Sequence, residues 1–264
     1  MDINSDKVFY LIKKNNDNYL EYSVDKCAYI LNIKLSPIKT LRFLLSIIIF
    51  LAVASLISNL ARLYLPDFPL KDSLGNLFDV NRELNIPSLY STFLLLLCSG
   101  LLTIVGSIKI MQRDRYRFQW LGLSCIFFFL GMDELIVIHE TLTYPVSFLV
   151  KREGFLYYTW VIPGFIFALV CLVIFWNFLT HLPKKTRNLF LIAGSIYIFG
   201  AVALEMLGGY IADIYGEGHI LWILEIALEE FCEMLGIATF YYALTTYISH
   251  DIRGVTCRVD ITEK

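Results

Sequence analysis

Residues 221–236 read LWILEIALEEFCEMLG, four carboxylates set in a run otherwise apolar enough to lie in a membrane. Glu225, Glu229 and Glu233 recur at every fourth position. On a helix turning about 100° per residue they step around by only about 40° each time, with Glu230 close beside them. A charged side chain facing hydrocarbon costs at least a few kcal/mol. This face therefore has to look into a protein interior or a wet cavity, and the fold must supply helices that surround it.

The rest of the chain offers them. With 57% hydrophobic and only 17% charged residues in 264, it is too apolar for a soluble domain with an ordinary surface. An all-α polytopic membrane bundle is expected, in contact with the lipid bilayer, and nothing suggests nucleic acid. Windows of about twenty apolar residues predict six transmembrane helices, at 41–61, 89–111, 118–139, 157–180, 188–212 and 220–248. Residues 1–40 form a polar, lysine-bearing segment without the apolar core of a secretory signal, and 249–264 a short tail. There is no internal repeat or linker, so 41–248 reads as one domain. The six cysteines, 27, 98, 125, 171, 232 and 257, show no CxxC spacing and are expected as small packing residues.

Orientation follows from charge. With six spans, seventeen of the 22 Lys and Arg fall on the side that holds both termini, and five on the other. The positive-inside rule then places N and C termini in the cytoplasm of a multi-pass plasma-membrane protein, a bacterial inner membrane if the source is bacterial. The outer side is acidic, and tyrosines and tryptophans cluster there, among them Tyr157, Tyr158, Trp160 and Trp222, as an interfacial belt would. Pro87 sits where the second span begins, with Ser88 and Ser91 fitting a helix start, and Glu83 just before it is in position to fold over the outer mouth.

In this topology the third span carries Asp133, Glu134, His139 and Glu140 at its outer end, with Asp133 and Glu140 nearly eclipsed on one face and about 10 Å apart in depth. The fifth span climbs outward to Glu205, about 10 Å short of its end. The sixth descends, so Glu225 lies about 9 Å in, Glu229 and Glu230 about 15 Å and Glu233 about 20 Å. Three helices running in both directions thus carry their acids to overlapping depths. Gly208, Gly209 and Gly236 beside them permit close helix approach.

No Lys or Arg occurs in 118–138, 189–212 or 220–248, so salt bridges among these spans cannot neutralise the acids. Protonation, hydrogen bonding or a bound cation remain. Like charges in low dielectric favour retention of a proton, which makes protons alone one answer. A divalent metal ion is the other, with Asp133, Glu134, His139, Glu140, Glu205, Glu225, Glu229, Glu230 and Glu233 as candidate ligands. The paired Glu-x-x-His signature of carboxylate-bridged bundles is missing.

The pair Glu229–Glu230 invites comparison with CAAX-type intramembrane proteases, but the sequence continues FCEM and lacks the arginine of their EExxxR motif. No HxxxH of the ceramidase and adiponectin-receptor type is present either. FDVNRELNIPSLYS before the second span, MDELIVIHE ending the third and EEFCEMLG in the sixth together resemble a pattern shared by uncharacterised multispanning bacterial membrane proteins. The resemblance runs from about residue 75 onward and implies six helices without implying an activity.

Three functions fit these residues. The first is binding and transport of a small cation or protons through the carboxylate site. The second is an intramembrane enzyme, metal-dependent and hydrolase-like, acting on a small-molecule, lipid-like or envelope substrate with Glu229 or Glu230 as general base. The third is a structural or assembly protein whose acids are simply protonated. A transporter requires polar groups leading from Glu233 towards the cytoplasm; an enzyme requires a fixed pocket with lateral or outer access.

Overall fold

Apolar runs of twenty residues or more satisfy their backbone polar groups as helices, and the chain does this wherever such a run occurs. The computed structural model describes residues 10–13, 19–22, 36–80 and 84–252. Glu83, Cys27, Cys257 and the tail beyond 252, whose roles the sequence suggests, lie outside the described residues. The chain divides into two units, Met1–Ser36 and Pro37–Lys264. In the first, β1 (Tyr10–Lys13) and β2 (Tyr19–Tyr22) pair antiparallel, with Tyr10 opposite Tyr22.

The second unit is built from helices. Its elements are α1 (Pro37–Tyr64), α2 (Lys71–Phe78), α3 (Ile86–Met111), α4 (Arg117–Ile136), α5 (Ile138–Ser147), α6 (Val161–His181), α7 (Lys184–Ile198), α8 (Glu205–Tyr215) and α9 (Ile220–Asp251). A π-helical turn over Phe199–Leu204 joins α7 to α8. Five stretches among the described residues are long and apolar enough to cross a membrane: α1, α3, α4, α6 and the continuous Lys184–Tyr215. At 32 residues α9 has the length as well, but its four glutamates set it apart from the apolar five.

α9 is the axis of the unit and packs against α1, α3, α7, α8 and the π-turn. Small residues let the backbones meet: a Cβ added at Gly236 would stand 2.8 Å from the backbone nitrogen of Tyr197 on α7. On the other flank α3 and α4 run side by side, joined by Ser99, Thr103 and Ser124. The Ser99 hydroxyl donates to the Ser124 carbonyl at 2.8 Å and Thr103 Oγ1 lies 2.7 Å from Ser124 Oγ. α3 starts as its sequence predicts, with Asn85 Oδ1 accepting the Ser88 N–H at 3.1 Å and Pro87 in the first turn. Before it, Arg62 at the end of α1 grips α2 and its flank, donating to Asp79 Oδ2 at 3.0 Å, to the Asp72 carbonyl at 3.1 Å and to Asn76.

The predicted third span does not run unbroken to 139. α4 stops at Ile136, Val137 takes a left-handed φ of 61°, and α5 starts in a new direction. A β-branched residue is unfavourable there, so tertiary or side-chain contacts must hold the turn. Asp133 supplies them: its Oδ1 accepts the His139 backbone N–H at 2.8 Å, capping α5. Asp133 and Glu140 are consequently on different helices, and the eclipsed pairing expected from one continuous helix does not form.

Candidate functional site

All nine sequence-predicted polar residues line one cavity of about 1320 Å³, enclosed by α4 to α9 and the π-turn. That is larger than the roughly 300–1,000 Å³ usual for drug-sized ligands. Each helix delivers its acids by a different device. The break at Val137 brings Asp133 and His139 together, with Asp133 Oδ2 2.8 Å from His139 Nδ1, which leaves Nε2 as the imidazole's second nitrogen. The π-turn presses Gly200 onto α9, where a Cβ would meet the Glu229 carbonyl at 3.0 Å and Glu233 Cγ at 2.9 Å. One extra residue in a helical turn rotates the remainder of the helix by about 100°. Glu205, the first residue after it, shares the cavity with Glu229, and the two carboxyls are in hydrogen-bonding contact.

Glu205 has a second partner, the Trp160 indole N–H, which donates to Oε1 at 2.8 Å. The same indole packs on the His139 ring, centroids 4.6 Å apart. Trp160 therefore ties the α5 dyad to the α8–α9 acids, although its position at a span end reads in sequence only as part of an interfacial belt. Nothing local distinguishes it from Trp222; only the packed neighbours do. Glu225 lies against Gly208, whose missing Cβ makes room for its carboxylate. At 5% exposure Glu225 has no hydrogen-bond partner on either oxygen, and Glu229, at 8%, has none on Oε2. Glu134, Glu230 and Glu233 line the same chamber less deeply buried, and Glu140 stands at its exposed rim.

Among the described residues, no three His, Cys, Asp or Glu side chains converge closely enough to hold a metal ion. The acids share a chamber, but they are spread around its wall instead of focused on a point.

His139 lies beyond the end of α4, outside the apolar spanning stretches. Burial works against its charged form, but the hydrogen bond to Asp133 and the charges of Asp133, Glu205 and Glu140 outweigh that, so it titrates above its ordinary range.

Away from the acids the cavity turns apolar. Its far end is closed by stacked rings: Phe127 on Phe240 at 4.3 Å, Phe190 against Phe240 at 4.4 Å, and below them Trp120 on Tyr247 at 4.9 Å. Trp120 is 1% exposed. Between α4 and α6 the cavity is lined by Phe129, Phe167, Leu169 and Leu172, all exposed, and the Phe129 and Phe167 rings meet there with centroids 6.2 Å apart.

No curated protein and no solved structure matches the chain. Residues 44–247 match the family described as Domain of unknown function (DUF8692), a stretch that takes in all the cavity acids and the histidine among them. The chain belongs to that family.

Proposed function

We propose that this is a six-span membrane protein, both termini cytoplasmic, that admits a lipid-like molecule sideways from the bilayer and presents its head group to an acid–base site. The carrying observation is the continuity of one cavity lining from the buried acids to exposed apolar side chains of α4 and α6, among them Phe129 and Phe167. The segregation of seventeen basic residues to one side supports the topology. α9 crosses as the sixth span because its acids face the cavity and other helices, where they avoid the cost of meeting lipid. The same charge pattern suits the plasma membrane, and a bacterial inner membrane if the source is bacterial.

In this reading Asp133 orients His139 and favours its charged form, while Glu205 and Glu229 share a proton. An imidazolium and a carboxyl pair that holds one proton, both bordering the cavity, are the equipment for giving a proton to a head group and taking it back. Phe127, Phe190 and Phe240 border the cavity beyond the acids, where transport from Glu233 towards the cytoplasm would call for polar groups, and this supports the acid–base reading over transport. The test is photolabelling of the purified protein in nanodiscs with a lipid carrying a photoactivatable acyl chain. Labelled peptides from 117–136 and 161–181 are expected, and Ala168→Trp, which fills the cavity wall, abolishes them. Label confined to the outer face of α1, at Phe43, Phe50 or Ile57, and unchanged by Ala168→Trp, would overturn the proposal.

A further inference from the structure

We infer that the molecule this cavity selects is a single-chain amphiphile with a protonated primary amine head. The inference rests on the lateral lipid-cavity reading above and deepens it by naming the head-group chemistry. Three buried oxygens stand without partners in the chamber: Glu225 Oε1, Glu225 Oε2 and Glu229 Oε2. Both residues are more than nine-tenths buried. They sit four positions apart on α9, neighbours on one helix face. Orphaned buried carboxylate oxygens are costly and call for a donor. A primary ammonium has three N–H donors and no acceptor, which matches three orphaned acceptors in number and in charge.

The surroundings point the same way. Trp160, Trp222 and Tyr158 line the chamber, and aromatic faces attract a desolvated cation. Among the cavity-lining residues the only Lys or Arg is Arg152, an exposed side chain at the outer rim that donates to the Tyr157 carbonyl at 3.1 Å. A phosphate head would thus meet carboxylates with no buried cation to receive it. An alcohol head would satisfy at most one of the orphaned oxygens and leave their charge uncompensated. The apolar walls of α4 and α6 take the chain.

Hexadecylamine, hexadecanol and hexadecyl phosphate, each competing with a fluorescent acyl-chain probe on the protein in nanodiscs, make the test. The amine is expected to bind about tenfold or more tightly than the alcohol, as a charge-assisted hydrogen bond would give, and the phosphate more weakly than either. Glu225→Gln with Glu229→Gln should remove the preference for the amine over the alcohol. Equal binding of all three, all lost in Ala168→Trp, would overturn the amine inference and leave the lipid cavity standing. Tightest binding by the phosphate would do the same. Absence of binding by any of the three would overturn both. If the double variant fails to fold, the ranking on the unaltered protein still decides.

Discussion

Asp133 holds His139 at two points, accepting its backbone N–H on Oδ1 and facing its ring Nδ1 with Oδ2, both at 2.8 Å. One carboxylate therefore caps a helix and fixes the orientation of an imidazole at the edge of the acid chamber. The two tasks separate on substitution. Asn at 133 retains an oxygen able to accept the backbone N–H but loses the charge that favours the imidazolium. We expect Asp133→Asn to lower the titration midpoint of His139, read by NMR of labelled histidine. A His whose folded value is raised adds stability that is full below its ordinary range near about 6.5 and is lost as pH rises through the raised value. The melting-temperature advantage of the native protein over Asp133→Asn should accordingly be largest in mildly acidic buffer and shrink in alkaline buffer. An advantage that grows with pH would contradict the pairing.

Trp160→Phe keeps a ring against His139 and removes only the donor to Glu205. Leaving a buried acceptor short of a partner costs about 1–3 kcal/mol. A thermal melt in detergent should register the loss, and it should disappear when Glu205→Leu is already present, since that change removes the acceptor the indole serves. Additive losses in the double variant would mean the two residues act separately.

The proton proposed between Glu205 and Glu229 has a direct readout. Infrared spectra of the protein in lipid at neutral pH should contain a protonated-carboxyl band that weakens in both Glu205→Gln and Glu229→Gln. The band should survive Glu140→Gln at the exposed rim. A spectrum unchanged by the first two variants would show that the shared proton lies elsewhere.

Helix spacing can be tested with glycines of opposite surroundings. A Cβ at Gly236 would press on the Tyr197 backbone at 2.8 Å, whereas one at Gly100 meets nothing within 4 Å. Gly236→Ala should therefore destabilise by about 1–3 kcal/mol, the range for overpacking. Gly100→Ala should be neutral or stabilising by up to about 1 kcal/mol from helix propensity. Denaturation of both variants in mixed micelles compares them directly, and equal effects would count against the close α7–α9 contact.

Much of this molecule is set by its local sequence. Hydrophobic run length predicts where the long helices lie, because burying apolar residues and satisfying the backbone are decided within each segment. The four-residue recurrence of Glu225, Glu229 and Glu233 fixes them on one face of α9, and the scarcity of Lys and Arg nearby leaves their charge to be met by protons, donors or a cation. Counting along six spans also gives the expectation that Glu205 and Asp133 lie at the level of the α9 acids. What the chain did not disclose locally depends on which surfaces meet. Val137 reads as one more apolar residue of a helix until Asp133 is seen to cap the next one. Gly200 reads as a packing glycine until the π-turn brings it onto α9, and Trp160 reads as an interface anchor until Glu205 is found 2.8 Å from its indole nitrogen. The ring contacts from Phe127 to Tyr247 and the apolar cavity wall that α4 and α6 build together likewise exist only between helices. Periodicity and hydropathy report on a residue's own segment, whereas a cavity and its walls are properties of the space that several segments leave between them.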